Sequence, residues 1–160
     1  MAIDIIALII SVLALGLSGF QFIRDSSRSK IEATLNAYHE LQETSFDPLN
    51  DILRKLRDDG KLDNNGYIDI DVSNEYWEAL TGCLAKIENF SVGINTGLYS
   101  LDILNKVGGG YFIRIYNELS LIIDKKAKMN ISGGKHYDQF KKTVDDLIKL
   151  RSIQKTDKTP

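Results

Sequence analysis

The segment His39-Glu40-Leu41-Gln42-Glu43 has the outline of a zinc-protease helix, in which two histidines four residues apart ligate one ion and a glutamate acts as base. Position 43 is glutamate and the only other histidine is His136, so the second ligand is missing and His39 reads as an ordinary helix residue. Gly134-Lys135 has the ending of a phosphate-binding loop. Met129, however, stands where its first glycine is needed, and His136 where a hydroxyl should meet magnesium. Asp63, Asn65, Gly66, Ile68 and Asp69 fall on the third, fifth, sixth, eighth and ninth positions of a calcium loop. Its first and twelfth positions are Lys61 and Val72, where the cation expects carboxylates, so the segment reads as a polar turn.

Cys83 is the only cysteine, which excludes an intrachain disulfide framework and a cysteine-rich zinc site. Its place between Leu80 and Leu84 suits a small packing residue better than a nucleophile. With two histidines there is little material for a catalytic triad. No catalytic, cofactor-binding or metal-ligating residue is assigned, no cofactor or small-molecule substrate is identified, and an enzyme is unsupported.

The elements that must position any function begin with an uncharged run of 19 residues, Ile5 to Ile23. As a helix it is roughly 28 Å long, close to the ~30 Å hydrocarbon core of a bilayer. A cleaved signal would have a basic start and a shorter apolar stretch, whereas here Asp4 precedes the run and Arg24, Arg28 and Lys30 follow it. Basic flanks stay inside, so the expectation is a single-pass protein of a bacterial inner membrane, N-terminus outside and C-terminal domain cytoplasmic. Within the run, Ala7, Ser11, Ala14 and Ser18 share one face, and small side chains there permit close approach of a second membrane helix.

Beyond the run, the polar stretch 25–29 reads as a hinge or simply an interfacial helix turn, and Ser29 with Glu32 has capping-box spacing for a new helix. Asp47 and Pro48 suit the start of another helix, bearing Leu49, Ile52, Leu53 and Leu56 and stopped by Gly60. Residues 61–72 alternate enough for a short β-ribbon turning at Asn65-Gly66. A long helix follows from about Asn74, with Trp77, Leu80, Leu84, Ile87, Ile94, Leu98 and Leu101 at helical intervals and a break expected near Gly97 and Ser100. Gly108, Gly109 and Gly110 read as a flexible connection to a helix bearing Phe112, Ile115, Leu119 and Ile122. Gly133-Gly134 precedes a last helix with Tyr137, Phe140, Val144 and Leu147. The fold class is mainly α: an N-terminal transmembrane helix followed by an antiparallel helical bundle, with the optional ribbon at 61–72. The expected divisions are an anchor with basic flank at 1–28, a helical domain at 29–152 and a flexible tail at 153–160.

A formal net charge of −2 gives no general case for nucleic-acid binding. Acidic residues concentrate between Glu40 and Asp102 and basic ones between Lys125 and Lys158, so the halves can pair within the fold, or the basic part can meet anionic lipid.

Leu84 to Leu104, with Ile87-Glu88-Asn89-Phe90, Gly93-Ile94, Gly97-Leu98-Tyr99 and Asp102, resembles an uncharacterised bacterial family known as a domain of unknown function. The resemblance implies one N-terminal membrane helix and a helical cytoplasmic domain, and it implies no activity. Gly93 and Gly97, four apart on one helical face, read as a place of close helix packing. The functional expectation is a membrane-anchored interaction module whose partners are the bilayer and a partner protein or its own copies. An oligomerising membrane-acting effector or toxin, as in phage defence, and an enzyme with an unrecognised site are the alternatives.

Overall fold

The computed structural model describes residues 2–63, 65–129 and 137–156, with the backbone alone for 2–14, 17, 155 and 156. It is mainly helical. The first element, α1 (Ala2–Leu41), is one unbroken helix. Of the two readings of 25–29 the structure has the helix turn and not the hinge, and no new start at Ser29 interrupts α1, because the capping-box spacing of Ser29 and Glu32 is equally compatible with a helix interior once the chain arrives already helical. Among the described residues no helix is long and apolar enough to cross a membrane; the side chains of 5–14 and 17, eleven of the nineteen in the run from Ile5 to Ile23, lie outside them.

A five-residue π turn, Gln42–Phe46, joins α1 directly to α2 (Asp47–Asp58), and the Asp47 amide donates to the Gln42 carbonyl across five residues. The expected cap at Asp47 is therefore absent. Its helix does not begin there, so the first-turn amides of a free end are not left for a side chain to satisfy. Pro48 consequently lies inside a continuous helical rod rather than at a free first turn. Gly60 does end α2: at φ +69° it lets the Lys61 amide reach back to the Leu56 carbonyl at 2.8 Å and its own amide reach that of Arg57 at 3.0 Å.

Residues 61–72 do not form the ribbon. Only one antiparallel bridge, Leu62 with Ile68, pairs them, and no strand is formed among the described residues. The alternation has another cause, since Ile68 and Ile70 are buried while Tyr67 and Val72 are exposed. The segment lies across helix ends instead: the Ile68 amide donates to the Glu118 carbonyl at 3.1 Å, and Lys125 holds Asp69 at 2.6 Å and Asp71 at 3.2 Å.

The remaining helices are α3 (Trp77–Asn95), α4 (Leu101–Val107), α5 (Gly109–Glu118), α6 (Ser120–Lys128) and α7 (Asp138–Thr156). The break expected after α3 is present, with Gly97 at φ +80° and Ser100 accepting from the Ile103 amide as the cap of α4. At the other end of the chain, α7 continues four residues past Ser152, into the span expected as tail. Its N-terminus is capped from outside by the Glu88 carboxylate of α3, which accepts from the amides of Gln139 at 3.0 Å and Phe140 at 2.7 Å. α3 packs most extensively along α7. Phe112 of α5 sits at the centre of the core, with ring centroids 5.6 Å from Phe46, 5.7 Å from Phe90 and 5.6 Å from Phe140.

Candidate functional site

The last two turns of α1 are the part of that helix that enters the core. Thr34 is fully buried; its hydroxyl donates to the Lys30 carbonyl at 2.7 Å and accepts the Ser100 amide at 2.8 Å, so one side chain fixes α1 to the corner between α3 and α4. One turn on, Tyr38 lies against Gly108, where a Cβ would overlap its ring. Gly109 and Gly110 lie under the guanidinium of Arg151, which bonds Asn105 Oδ1 at 2.6 Å. The three glycines expected as a flexible connection are thus positions of close approach. They lack side chains because Tyr38 and Arg151 fill the space.

Pro48 has no N–H, so the Thr44 carbonyl four residues before it lacks the helix's usual donor. Lys86 of α3 supplies one, its Nζ lying 3.0 Å from that oxygen. The widened turn and this amine leave an open cleft of about 360 Å³ between α1 and α3. Ala37 and Leu41 form one wall, the stacked rings of Phe90 and Tyr99 (centroids 5.2 Å apart) form the other, and Glu40, Thr44, Lys86 and Asn89 form the rim. Tyr99 reaches this position by folding back over Gly93, where a Cβ would overlap the ring. π turns inside α-helices recur at functional sites, and this one borders an aromatic wall with a polar rim. Its lining holds no nucleophile beside a base.

The DUF4760 profile, a domain of unknown function, matches residues 4–147. The chain belongs to the DUF4760 family. The match takes in the apolar run, the helical rod and both walls of the cleft, and it ends within α7. No curated protein and no solved structure matches the chain.

In this DUF4760 chain the residues singled out by sequence are scattered. Ala7, Ser11 and Ala14 lie outside the described side chains, and Ser18 is exposed. Gly93 is beneath Tyr99, while Gly97, with open space where a Cβ would stand, supplies the left-handed turn after α3. His39 and Glu43 are exposed and pair with each other at 3.3 Å. The Asp63 carboxylate accepts the amides of Asn65 at 2.9 Å and Tyr67 at 2.8 Å, and the Tyr67 amide leads in holding its pKa below the ordinary carboxylate value. Its oxygens close a turn. Among the described residues no group of three His, Cys, Asp or Glu side chains could hold a metal ion. Cys83 is buried in α3 and burial raises its thiol pKa, which disfavours the thiolate. Gly134, Lys135 and His136 lie outside the described residues.

Sequence reasoning missed Thr34, Lys86 and Tyr99. Pro48, inside a helical pattern and four residues after Thr44, was the available signal that a carbonyl there needs another donor.

Proposed function

We infer that this chain is a membrane-anchored interaction module: the N-terminal half of α1 lies in a bilayer, N-terminus outside, and the rod presents the helical domain and its cleft to a partner protein on the cytoplasmic side. One observation carries the reading. Leu15, Phe20, Phe22 and Ile23 on α1 are between 66% and 75% exposed, on a stretch of helix that packs against nothing else among the described residues. At 100° per residue these four side chains span about 160° of the helix, and a free-standing helix with that much large apolar surface is unstable in water and needs apolar surroundings. The uncharged run continues from there back to Ile5, giving roughly 28 Å of helix, and a run of that length matches a hydrocarbon core.

The full chain is expected to stay in the membrane pellet through an alkaline carbonate wash, and Leu13→Arg, which places a charge at mid-span, to release much of it. Release of the unaltered chain sinks the anchor. For the module, a photocrosslinking residue at exposed Asn89 in the membrane form should give a discrete protein adduct that disappears with Tyr99→Ala. A signal indifferent to Tyr99, or none, removes the cleft as the partner surface.

A further inference from the structure

We propose that Arg24, Ser27 and Arg28 form a binding face for anionic phospholipid headgroups, a refinement that rests on the membrane reading above. At helical spacing these three residues share one face of α1, between Phe20 one turn before and Ile31 one turn after. All five are exposed. Two arginines four apart repel one another, and among the described residues neither has an ion-pair partner. An anion between them removes that repulsion. Guanidinium groups match phosphate oxygens two at a time, and the Ser27 hydroxyl adds a donor on the same face.

Depth selects lipid over a free anion. With Ile23 at the hydrocarbon boundary, helix rise puts Arg24 about 1.5 Å and Arg28 about 7.5 Å outside it. The headgroup layer is about 5–7.5 Å thick on each side, so the two positions bracket it, Arg24 at its inner edge and Arg28 at its outer one. Thr34, the first residue buried in the domain, stands about 16 Å out. That distance puts the entry of α1 into the domain past the headgroups, and the basic residues of α6 and α7 belong to that domain. Two of those are also already paired, Lys125 with Asp69 and Asp71, and Lys149 with Asp146. Because α1 has no hinge, the face cannot turn away from the bilayer independently of the domain.

The test is lipid carried by the full chain. Purified in mild detergent from mixed micelles holding equal phosphatidylglycerol and phosphatidylcholine, the unaltered chain should retain phosphatidylglycerol at least tenfold over phosphatidylcholine by mass spectrometry. Each basic residue near a charged surface contributes about fivefold. Arg24→Gln with Arg28→Gln should bring the ratio within twofold, and Lys at both positions should restore part of it. Equal retention by the unaltered chain, or a preference that survives the double Gln variant, overturns the proposal. Displacement of the lipid by millimolar inorganic phosphate also overturns it, because the face would then read a free anion. A chain that leaves the membrane in the carbonate wash refutes the anchor itself, whereas one that stays without headgroup preference refutes only this inference.

Discussion

Lys86 donates to the carbonyl oxygen of Thr44 at 3.0 Å, and Thr44 stands four residues before Pro48. A proline that removes one helical hydrogen bond is thus answered by an amine from another helix, forty-two positions after the carbonyl it leaves without a donor. The same contact closes one end of the cleft rim and ties the rod to α3, so the site and the irregularity of the helix have one cause.

The two residues should therefore be energetically coupled. Lys86→Met leaves the Thr44 carbonyl to water and is expected to lower stability by roughly 0.5–1.5 kcal/mol, the net worth of such a bond. Pro48→Ala supplies a backbone donor for the same oxygen, and in that background the Lys86→Met loss should shrink. Thermal or urea unfolding of the four chains gives the interaction energy directly. Strictly additive losses would mean that Lys86 acts only through its stem.

Alkaline pH should weaken the domain through its tyrosines. Burial is the leading cause that pushes Tyr111 and Tyr137 up to about 12, and burial also raises Tyr38 and Tyr116. Each of these groups is held neutral in the folded state and ionises near its ordinary value of 10 once unfolded. The sign follows: their contribution is intact below pH 10 and is lost as pH rises from 10 toward 12. Urea midpoints measured between pH 9 and 11.5 should fall over that window. The slope should be shallower in Tyr111→Phe and Tyr137→Phe, even though Tyr111 also gives up its 2.8 Å bond to Asn50. An unchanged slope in both variants would remove the tyrosines as the cause.

What could be read from sequence divides by range. The stop at Gly60 and the break near Gly97 and Ser100 are local events, decided by a positive φ or a hydroxyl within a turn, and the residue types announce them, although the cap that Ser100 gives α4 was not read. The mainly helical character follows from apolar spacing along α3, α5 and α7. By contrast, Gly108 is required by Tyr38, Gly93 by Tyr99, and the tolerance of Pro48 depends on Lys86. Nothing within a few residues of each glycine specifies the ring that fills its space. Residues 61–72 misled because burial of Ile68 and Ile70 produces the same alternation as strand pairing. The cleft was illegible for a related reason: its walls, with Leu41 on one and Tyr99 on the other, come from segments far apart in sequence.

That register gives the last prediction. In the π turn the Asp47 amide reaches the Gln42 carbonyl across five residues, one more than in an α-helix. Deleting exposed Glu43 would make the same donor and acceptor four apart, converting the turn to α without rotating either flank. Thr34 could keep its bond to Ser100 and Tyr38 its seat against Gly108, so stability should change by only about 1 kcal/mol, within the range of ordinary substitutions. Deleting Asn36, also exposed, has the opposite geometry. It removes a residue from a regular helix and turns everything before it by about 100° relative to everything after. Thr34 and Tyr38 then cannot both hold their places, and the cooperative transition should be lost or fall by several kcal/mol. Circular dichroism melts of the two deletions separate these outcomes. If both deletions unfold the domain equally, the π turn is itself required and is not a one-residue insertion tolerated in a helical rod.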